Sequence, residues 1–158
     1  MALKTVYLLF PVKPALLDTV IGTALAGDDR PEVLRDRDWF EATLAAPADQ
    51  LLDRFALHTA ELMERAALLL QMAEAAADSD LAIRARRDRA RTQRLADIRL
   101  VAEALAGKDL GVDIDEATDV IYALAAPQNY TQLVVQRGWT RERYAAWLSR
   151  AVRCSLLR

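Results

Sequence analysis

The chain has 158 residues, a length that corresponds to one domain or to one domain with a fragment of a second. Hydrophobic residues make up 53% and charged residues 28%, a balance that is typical of globular proteins and excludes an intrinsically disordered chain. The formal net charge of −2 excludes a chain-wide basic surface for nucleic acid, so any contact with DNA must be local.

The sequence predicts a soluble cytoplasmic protein without a membrane partner. Cys154 is the only cysteine, so neither a disulfide framework nor a cysteine metal site is expected, which fits a reducing compartment. The apolar stretch near the N-terminus stops at Pro11, and no signal peptide is predicted. The longest uncharged run, from Val120 to Gln136, contains a proline and three glutamines and does not resemble a membrane span.

The composition predicts an all-α fold, because alanine and leucine dominate, glycine and proline are scarce and strand signals are missing. Residues 3–10 have a helical pattern that ends at a Pro-Val-Lys-Pro connection. We expect a second helix from Ala15 to about Ala26, with Gly27 just beyond its end. A short helix is predicted from Asp36 to Leu44, after Pro31.

A long central helix is predicted to start at Pro47 and to run to about Ala76, with a broad apolar face. His58 and Thr59 interrupt this face near its middle. They are either satisfied structural residues or polar handles in a ligand cavity, where an apolar pocket needs a few hydrogen-bonding groups. The ligand-binding candidates on this helix are Phe55, His58, Thr59, Leu62 and Met63.

The next predicted helix, from Asp80 to Ala106, has two different halves. Its first half contains six arginines that scatter around the helix without interleaved aromatic residues, so we interpret it as a solvated surface and not as a nucleic-acid stripe. These arginines are Arg84, Arg86, Arg87, Arg89, Arg91 and Arg94. The second half is amphipathic, with Leu95, Ile98, Ala102 and Leu105 predicted to face inward.

The last third of the chain, from Asp113 to Leu157, predicts two amphipathic helices with a break between them. Pro127 interrupts or bends the helical path, and Gly138 ends the segment before the second helix. Thr140 is the predicted N-cap of the second one. The apolar stripes of both helices are either ordinary core or a dimer seam, in which the pair packs on its own copy as a four-helix bundle. The predicted dimer-interface residues are Val120, Leu124, Tyr144, Trp147, Leu148 and Ala151.

The sequence predicts no catalytic residues, no metal site and no cofactor. It contains no nucleophile–base pair, no metal-ligand spacing and no phosphate-binding loop. His58 is the only histidine, so paired Glu-x-x-His sites cannot be built. Asp113 and Asp115 stand at a predicted helix start, where the helix dipole explains them.

Two groups of motifs resemble TetR-family transcriptional regulators. The opening pattern resembles the end of that family's DNA-binding domain, with the recognition helix and the start of the linking helix: Thr5-x-Tyr7-x-x-Phe10-x-x-Lys13-x-x-Leu16-Leu17. The second group lies downstream and resembles the core of one TetR subgroup: Ala26-Gly27-Asp28-Asp29, Arg35-Asp36-Arg37-Asp38-Trp39-Phe40 and Arg94-Leu95-Ala96-Asp97. It includes the tail, which is its most specific part: Ala117-Thr118-Asp119-Val120, Ala123-Leu124-Ala125-Ala126-Pro127-x-x-Tyr130, Val134-Val135-x-Arg137-Gly138-Trp139-Thr140 and Arg143-Tyr144-x-x-Trp147-Leu148.

The resemblance implies a homodimeric regulator that binds a small apolar effector. Residues 1–26 would be the remnant of a helix-turn-helix domain, and residues 27–158 the ligand-binding and dimerisation domain. The implied DNA-binding residues are Lys4, Thr5, Tyr7 and Lys13. Because the family's kinked helix lies between the pocket and the dimer seam, Thr118, Tyr122 and Tyr130 are candidates to reach either of them. Of these, Thr118 and Tyr122 complete the set of predicted ligand-binding residues.

The sequence departs from the family pattern at its start, since it begins at the third helix of the DNA-binding domain. A recognition helix needs its partner helices to hold it in the groove, so contact with operator DNA is expected only if those helices are present. Two hypotheses follow. The chain is a shortened form of a longer repressor, or it is a ligand-binding or dimerisation protein that does not bind DNA.

Overall fold

The computed structural model describes residues 13–27, 34–108 and 110–157. In these ranges the chain is helical without strands, which confirms the predicted all-α fold. Of the predicted DNA-binding residues, Lys4, Thr5 and Tyr7 lie outside the described ranges, and Lys13 is the first described residue. The α-helices of the described ranges are α1 Lys13–Ala26, α2 Asp38–Leu44 (preceded by a 3-10 turn, Leu34–Asp36), α3 Ala48–Ala76, α4 Leu81–Ala106, α5 Ile114–Leu124, α6 Pro127–Tyr130 and α7 Arg141–Leu156.

Helices α4 and α7 begin where their capping residues predict. The Asp80 carboxylate accepts hydrogen bonds from the amides of Ala82 and Ile83, at 2.8 and 3.1 Å, and so caps α4. The Thr140 hydroxyl oxygen accepts one from the Arg143 amide at 3.2 Å and caps α7. Each cap satisfies amides that have no partner within the first helical turn.

Pro127 interrupts the helical path after α5, as the sequence predicts. The side-chain amide of Asn129 donates to the carbonyls of Ala123 and Leu124, at 2.9 Å each, and so satisfies two acceptors at the end of α5. The chain continues from α6 into a π-helix, Thr131–Gln136. Gly138 then adopts a φ of 68°, which reverses the chain towards α7.

Helices α3 and α7 pack antiparallel. Arg141 at the start of α7 pairs with Glu64 in the middle of α3, with Nη1 and Oε2 2.9 Å apart. Arg153 near the end of α7 donates to the carbonyl of Asp49 at the start of α3, also at 2.9 Å. Exposed polar contacts of this kind contribute little stability, so the apolar contact beneath them must hold the helices together.

One core cluster joins α3 to α7. Ala56 and Ala60 on α3 are fully buried, and their small side chains allow the larger residues of α7 to approach closely. Those residues include Tyr144, Leu148 and Val152, which follow one another at helical spacing and have no exposed surface. Burying one such aliphatic side chain contributes about 1.5–3 kcal/mol.

Helix α1 is attached to α3 through Arg65. Its Nε and Nη2 atoms donate to the carbonyls of Ala24 and Leu25, at 2.9 and 3.1 Å. These carbonyls belong to the last turn of α1, where a cation also interacts favourably with the helix dipole. None of the helices in the described part of the chain is both long and apolar enough to cross a membrane.

Burial within one copy of the chain changes two sequence-based predictions. Tyr144 and Leu148 have no exposed surface, so they have none to offer to a second copy, and they belong to the core of the chain itself. Leu95 was expected to face inward but is 42% exposed, whereas Ile98, Ala102 and Leu105 of the same predicted face are buried. The other predicted interface residues are half-buried: Val120, Leu124, Trp147 and Ala151.

Candidate ligand cavity

A cavity of about 1020 Å³ lies between the helices on the side of α3 that faces α1 and α4. Helices α1, α2, α3 and α4 provide its walls, and the end of α5 with the segment around Pro127 completes it. Its size is in the upper range of the pockets that bind drug-sized ligands. Most of the lining side chains are apolar, and Ile21, Phe55 and Val101 are examples from three different helices.

The structure brings six of the seven predicted ligand-binding residues to this one cavity. They are Phe55, His58, Thr59, Leu62 and Met63 on α3, and Tyr122 on α5. Thr118, the seventh, does not belong to the described lining. It is 4% exposed, and its hydroxyl donates to the carbonyl of Ile114 at 2.6 Å within its own helix.

His58 presents a polar edge to the cavity. Its ring lies 4.5 Å from the ring of Trp39 on α2, centroid to centroid, and both residues line the cavity. Its Nδ1 atom is 3.3 Å from a carboxylate oxygen of Glu61, one turn further along α3. The imidazole is therefore held on two sides, and its position in the wall is defined by the packing of α2 on α3.

The arginine-rich half of α4 is not simply a solvated surface, which corrects part of the sequence-based interpretation. Four of its six arginines line the cavity: Arg86, Arg87, Arg91 and Arg94. Glu74 on α3 pairs with two of them, Arg87 at 3.3 Å and Arg91 at 2.5 Å. Arg84 and Arg89 are exposed, as expected. The arginines on the inner side of α4 thus form a charged rim next to the apolar wall.

Arg94 is held against Tyr122 by two contacts. Its Nη2 atom donates to the Tyr122 carbonyl at 2.6 Å, and its guanidinium carbon lies 4.0 Å from the centroid of the Tyr122 ring. Burial lowers the pKa of the Arg94 guanidinium, and the neighbouring Tyr122 partly opposes this shift. The sequence does contain a signal that Arg94 points inward. Arg94 stands four residues before Ile98, which faces inward, and so lies on the same side of α4.

Asp97 adds a carboxylate to the same wall. It is 3.3 Å from the Arg35 guanidinium and accepts a hydrogen bond from the side-chain amide of Gln93 at 2.8 Å. Burial raises the pKa of Asp97, and the hydrogen bond from Gln93 and the charge of Arg35 oppose this shift. Arg35 and Asp97 each belong to a motif of the resemblance, but no pattern in the sequence pairs them, because they stand on distant segments.

The described residues contain no group of three or more histidine, cysteine, aspartate or glutamate side chains placed to hold a metal ion. The cavity wall instead offers apolar and aromatic surface together with guanidinium donors. Such a wall can enclose and orient a small molecule. Comparison with protein-family profiles, with curated proteins and with solved structures finds no match to this chain.

Proposed function

We propose that the protein is a TetR-like transcriptional regulator whose helical domain binds a small effector of mainly apolar surface and thereby controls binding to operator DNA. The observation that carries this proposal is the cavity, because α1 forms one of its walls. In the family that the motifs resemble, the segment corresponding to α1 links the recognition helix to the effector domain. A ligand in this cavity therefore contacts the element through which a signal must pass.

The contact between Arg65 and α1 provides a route for that signal. Arg65 binds the carbonyls of Ala24 and Leu25 in the last turn of α1. The C-terminal end of α1 therefore moves together with α3. The cavity-lining residues Leu17 and Ile21 lie nearer the N-terminal end of α1. An effector that displaces this end tilts α1 about the Arg65 anchor and moves whatever precedes it.

The effect on DNA follows from population shift. A two-fold operator requires the two DNA-binding segments of a homodimer to be spaced by one helical turn of DNA or a multiple of it. An effector that prefers a conformation with a different spacing lowers the affinity for operator by its differential affinity for the two conformations. The proposed homodimer forms through the exposed parts of α5 and α7, which include Trp147 and Ala151.

The first experiment selects DNA from the genome of the source organism. The purified protein is incubated with sheared genomic fragments, and the bound fragments are sequenced. We expect enrichment of a two-fold symmetric site whose affinity falls steeply with salt concentration. Tyr7→Phe should weaken binding to that site, whereas Tyr122→Phe, which removes the same hydroxyl from the cavity wall, should not.

Absence of any enriched site would overturn the DNA-binding part of this proposal. The alternative from the sequence, a helical ligand-binding or dimerisation protein that does not bind DNA, would then be the better description. Ligand binding to the cavity can be measured without DNA, so the two parts of the proposal can fail separately.

A further inference from the structure

Arg94 differs from the other charged residues of the cavity wall whose partners are known. Arg87 and Arg91 share the carboxylate of Glu74, and Arg35 neutralises Asp97. The partners of Arg94 within the described ranges are a backbone carbonyl and an aromatic ring, both from the same residue of α5. Neither partner carries a negative charge, so no carboxylate of the described residues compensates the positive charge of Arg94 next to the cavity.

A partly buried guanidinium whose neighbours are neutral is unfavourable. Removing a cation from water costs free energy, which is recovered only when an anion or several acceptors surround it. The ring and the carbonyl of Tyr122 hold the guanidinium plane in place. A guanidinium has five N–H donors, and one Nη atom of Arg94 is engaged by the carbonyl, so donors are left for a planar anion.

The wall beyond Arg94 is apolar. Ile98 and Val101 follow on the same face of α4, four and seven residues further along, and both line the cavity. Leu62 and Met63 line it from α3, on another side. Methionine adapts its shape to a flexible ligand. A molecule with its charged end at Arg94 therefore has apolar surface available along its remaining length.

Because no described residue supplies an anion to Arg94, we propose that the ligand of this cavity is an amphipathic carboxylate, such as an unbranched acyl chain, whose carboxylate group binds Arg94 and whose hydrocarbon chain packs between α3 and α4. This inference rests on the proposed effector site and specifies its chemistry. Arg94 selects for charge, and the apolar wall selects for chain length. The carboxylate of Asp97 does not repel such a ligand strongly, because Arg35 and Gln93 already bind it.

The test compares two probes with the same ten-carbon chain and different head groups, the carboxylate of decanoate and the hydroxyl of decanol, by isothermal titration calorimetry at pH 7.5. We expect the wild-type protein to bind decanoate more tightly than decanol by about tenfold or more, which corresponds to one charge-assisted pair. Arg94→Gln should remove this difference by weakening decanoate and leaving decanol unchanged. Arg94→Lys keeps the charge without the planar fork and should retain part of it.

Arg91→Gln is the matched control, since Arg91 also lines the cavity but is paired with Glu74. We expect it to change decanoate affinity by less than about threefold, the range of an exposed ion pair. Thermal unfolding of each variant, followed by circular dichroism, shows whether it is folded at the temperature of the titration.

Three results separate the inference from the function it rests on. Equal affinity for decanoate and decanol would overturn the role of Arg94 and leave an apolar effector site. Binding of neither probe to the folded wild-type protein would overturn the inference for acyl carboxylates. Tight decanoate binding that depends on Arg94, together with no enriched DNA site, would support the inference and overturn the regulator.

Discussion

The ring of Tyr144 on α7 meets the ring of Tyr130 on α6 edge to face, with the centroids 4.9 Å apart and the planes at 75°. Tyr144 has no exposed surface, and its hydroxyl lacks a hydrogen-bond partner among the described residues. Burial accordingly raises the pKa of Tyr144 well above its usual range. The aromatic contact stabilises the core, whereas the buried hydroxyl lowers its stability.

Tyr144→Phe is therefore expected to stabilise the protein. The substitution keeps the ring packing and removes a buried polar group whose desolvation is not compensated, so the free energy of unfolding should rise by about 1 kcal/mol. Urea unfolding followed by circular dichroism measures this change. Tyr122→Phe is the control, since Tyr122 is only half-buried and should give a smaller effect. A loss of stability in Tyr144→Phe would mean that the hydroxyl has a partner in solution.

The backbone at Gly138 gives a second prediction. With a φ of 68°, Gly138 occupies the left-handed region, in which a side chain costs about 1–2 kcal/mol. Since no atom lies within 4 Å of a Cβ placed there, this backbone strain is the only penalty among the described residues. We expect Gly138→Ala to lower the free energy of unfolding by about 1 kcal/mol, measured by urea unfolding.

Gly107→Ala is the matched control for this prediction. Gly107 also has free space around it, but its φ is −81°, which alanine adopts without strain. Its replacement should stabilise the protein by about 0.5 kcal/mol, because alanine reduces the freedom of the unfolded chain. Equal effects at Gly107 and Gly138 would contradict the assignment of strain to Gly138.

Asp97 gives a prediction about pH. Burial raises its pKa in the folded protein above the ordinary value of 3.8, so the folded state favours the protonated carboxyl more than the unfolded state does. This contribution to stability is present below the unfolded pKa and is lost as the pH rises through the folded pKa. Asp97→Asn cannot lose a proton, so its stability relative to the wild type should increase with pH.

Urea unfolding between about pH 3 and about pH 7 measures this difference. Asp119→Asn, on the exposed side of α5, controls for the loss of one negative charge. Relative stability of Asp97→Asn that stays constant or falls over this range would show that the ion pair with Arg35 outweighs burial.

The helix bounds were predictable because their causes are local. Asp80 and Thr140 cap the residues that follow them, and Pro127 begins a new helix after the end of α5. Apolar residues at helical spacing on α3 placed Phe55 and Met63 on one side, and the same side turned out to line the cavity. Within these segments, the chemistry of three or four neighbouring residues determines the structure.

The charges of the cavity wall were less predictable because their causes are distant in sequence. The acceptor that holds Arg94 is the carbonyl of Tyr122, 28 residues away. A long charged side chain can reach either water or a neighbouring helix, and only the packing of α4 on α5 decides between them. No recognisable sequence signal marks the π-helix after Tyr130 either.

The proposed dimer seam depends on the surface that α5 and α7 leave uncovered. Tyr144 and Leu148 fill the chain's own core, so a second copy must pack on their half-buried neighbours Trp147 and Ala151. Trp147 also contacts the ring of Trp139, at 6.4 Å between centroids, and its replacement would disturb the fold. Ala151 is a better probe, because its small side chain holds little of the core together.

Ala151→Arg should convert the proposed homodimer to a monomer, because it places a long cation where two copies would meet. Size-exclusion chromatography with light scattering measures the mass, which should fall from about twice 17.6 kDa to about 17.6 kDa. Ala85→Arg introduces the same side chain on the exposed face of α4 and should leave the mass of the wild type unchanged. If Ala151→Arg remains a folded dimer, the two copies meet elsewhere. A wild-type protein that is already monomeric would contradict the seam altogether.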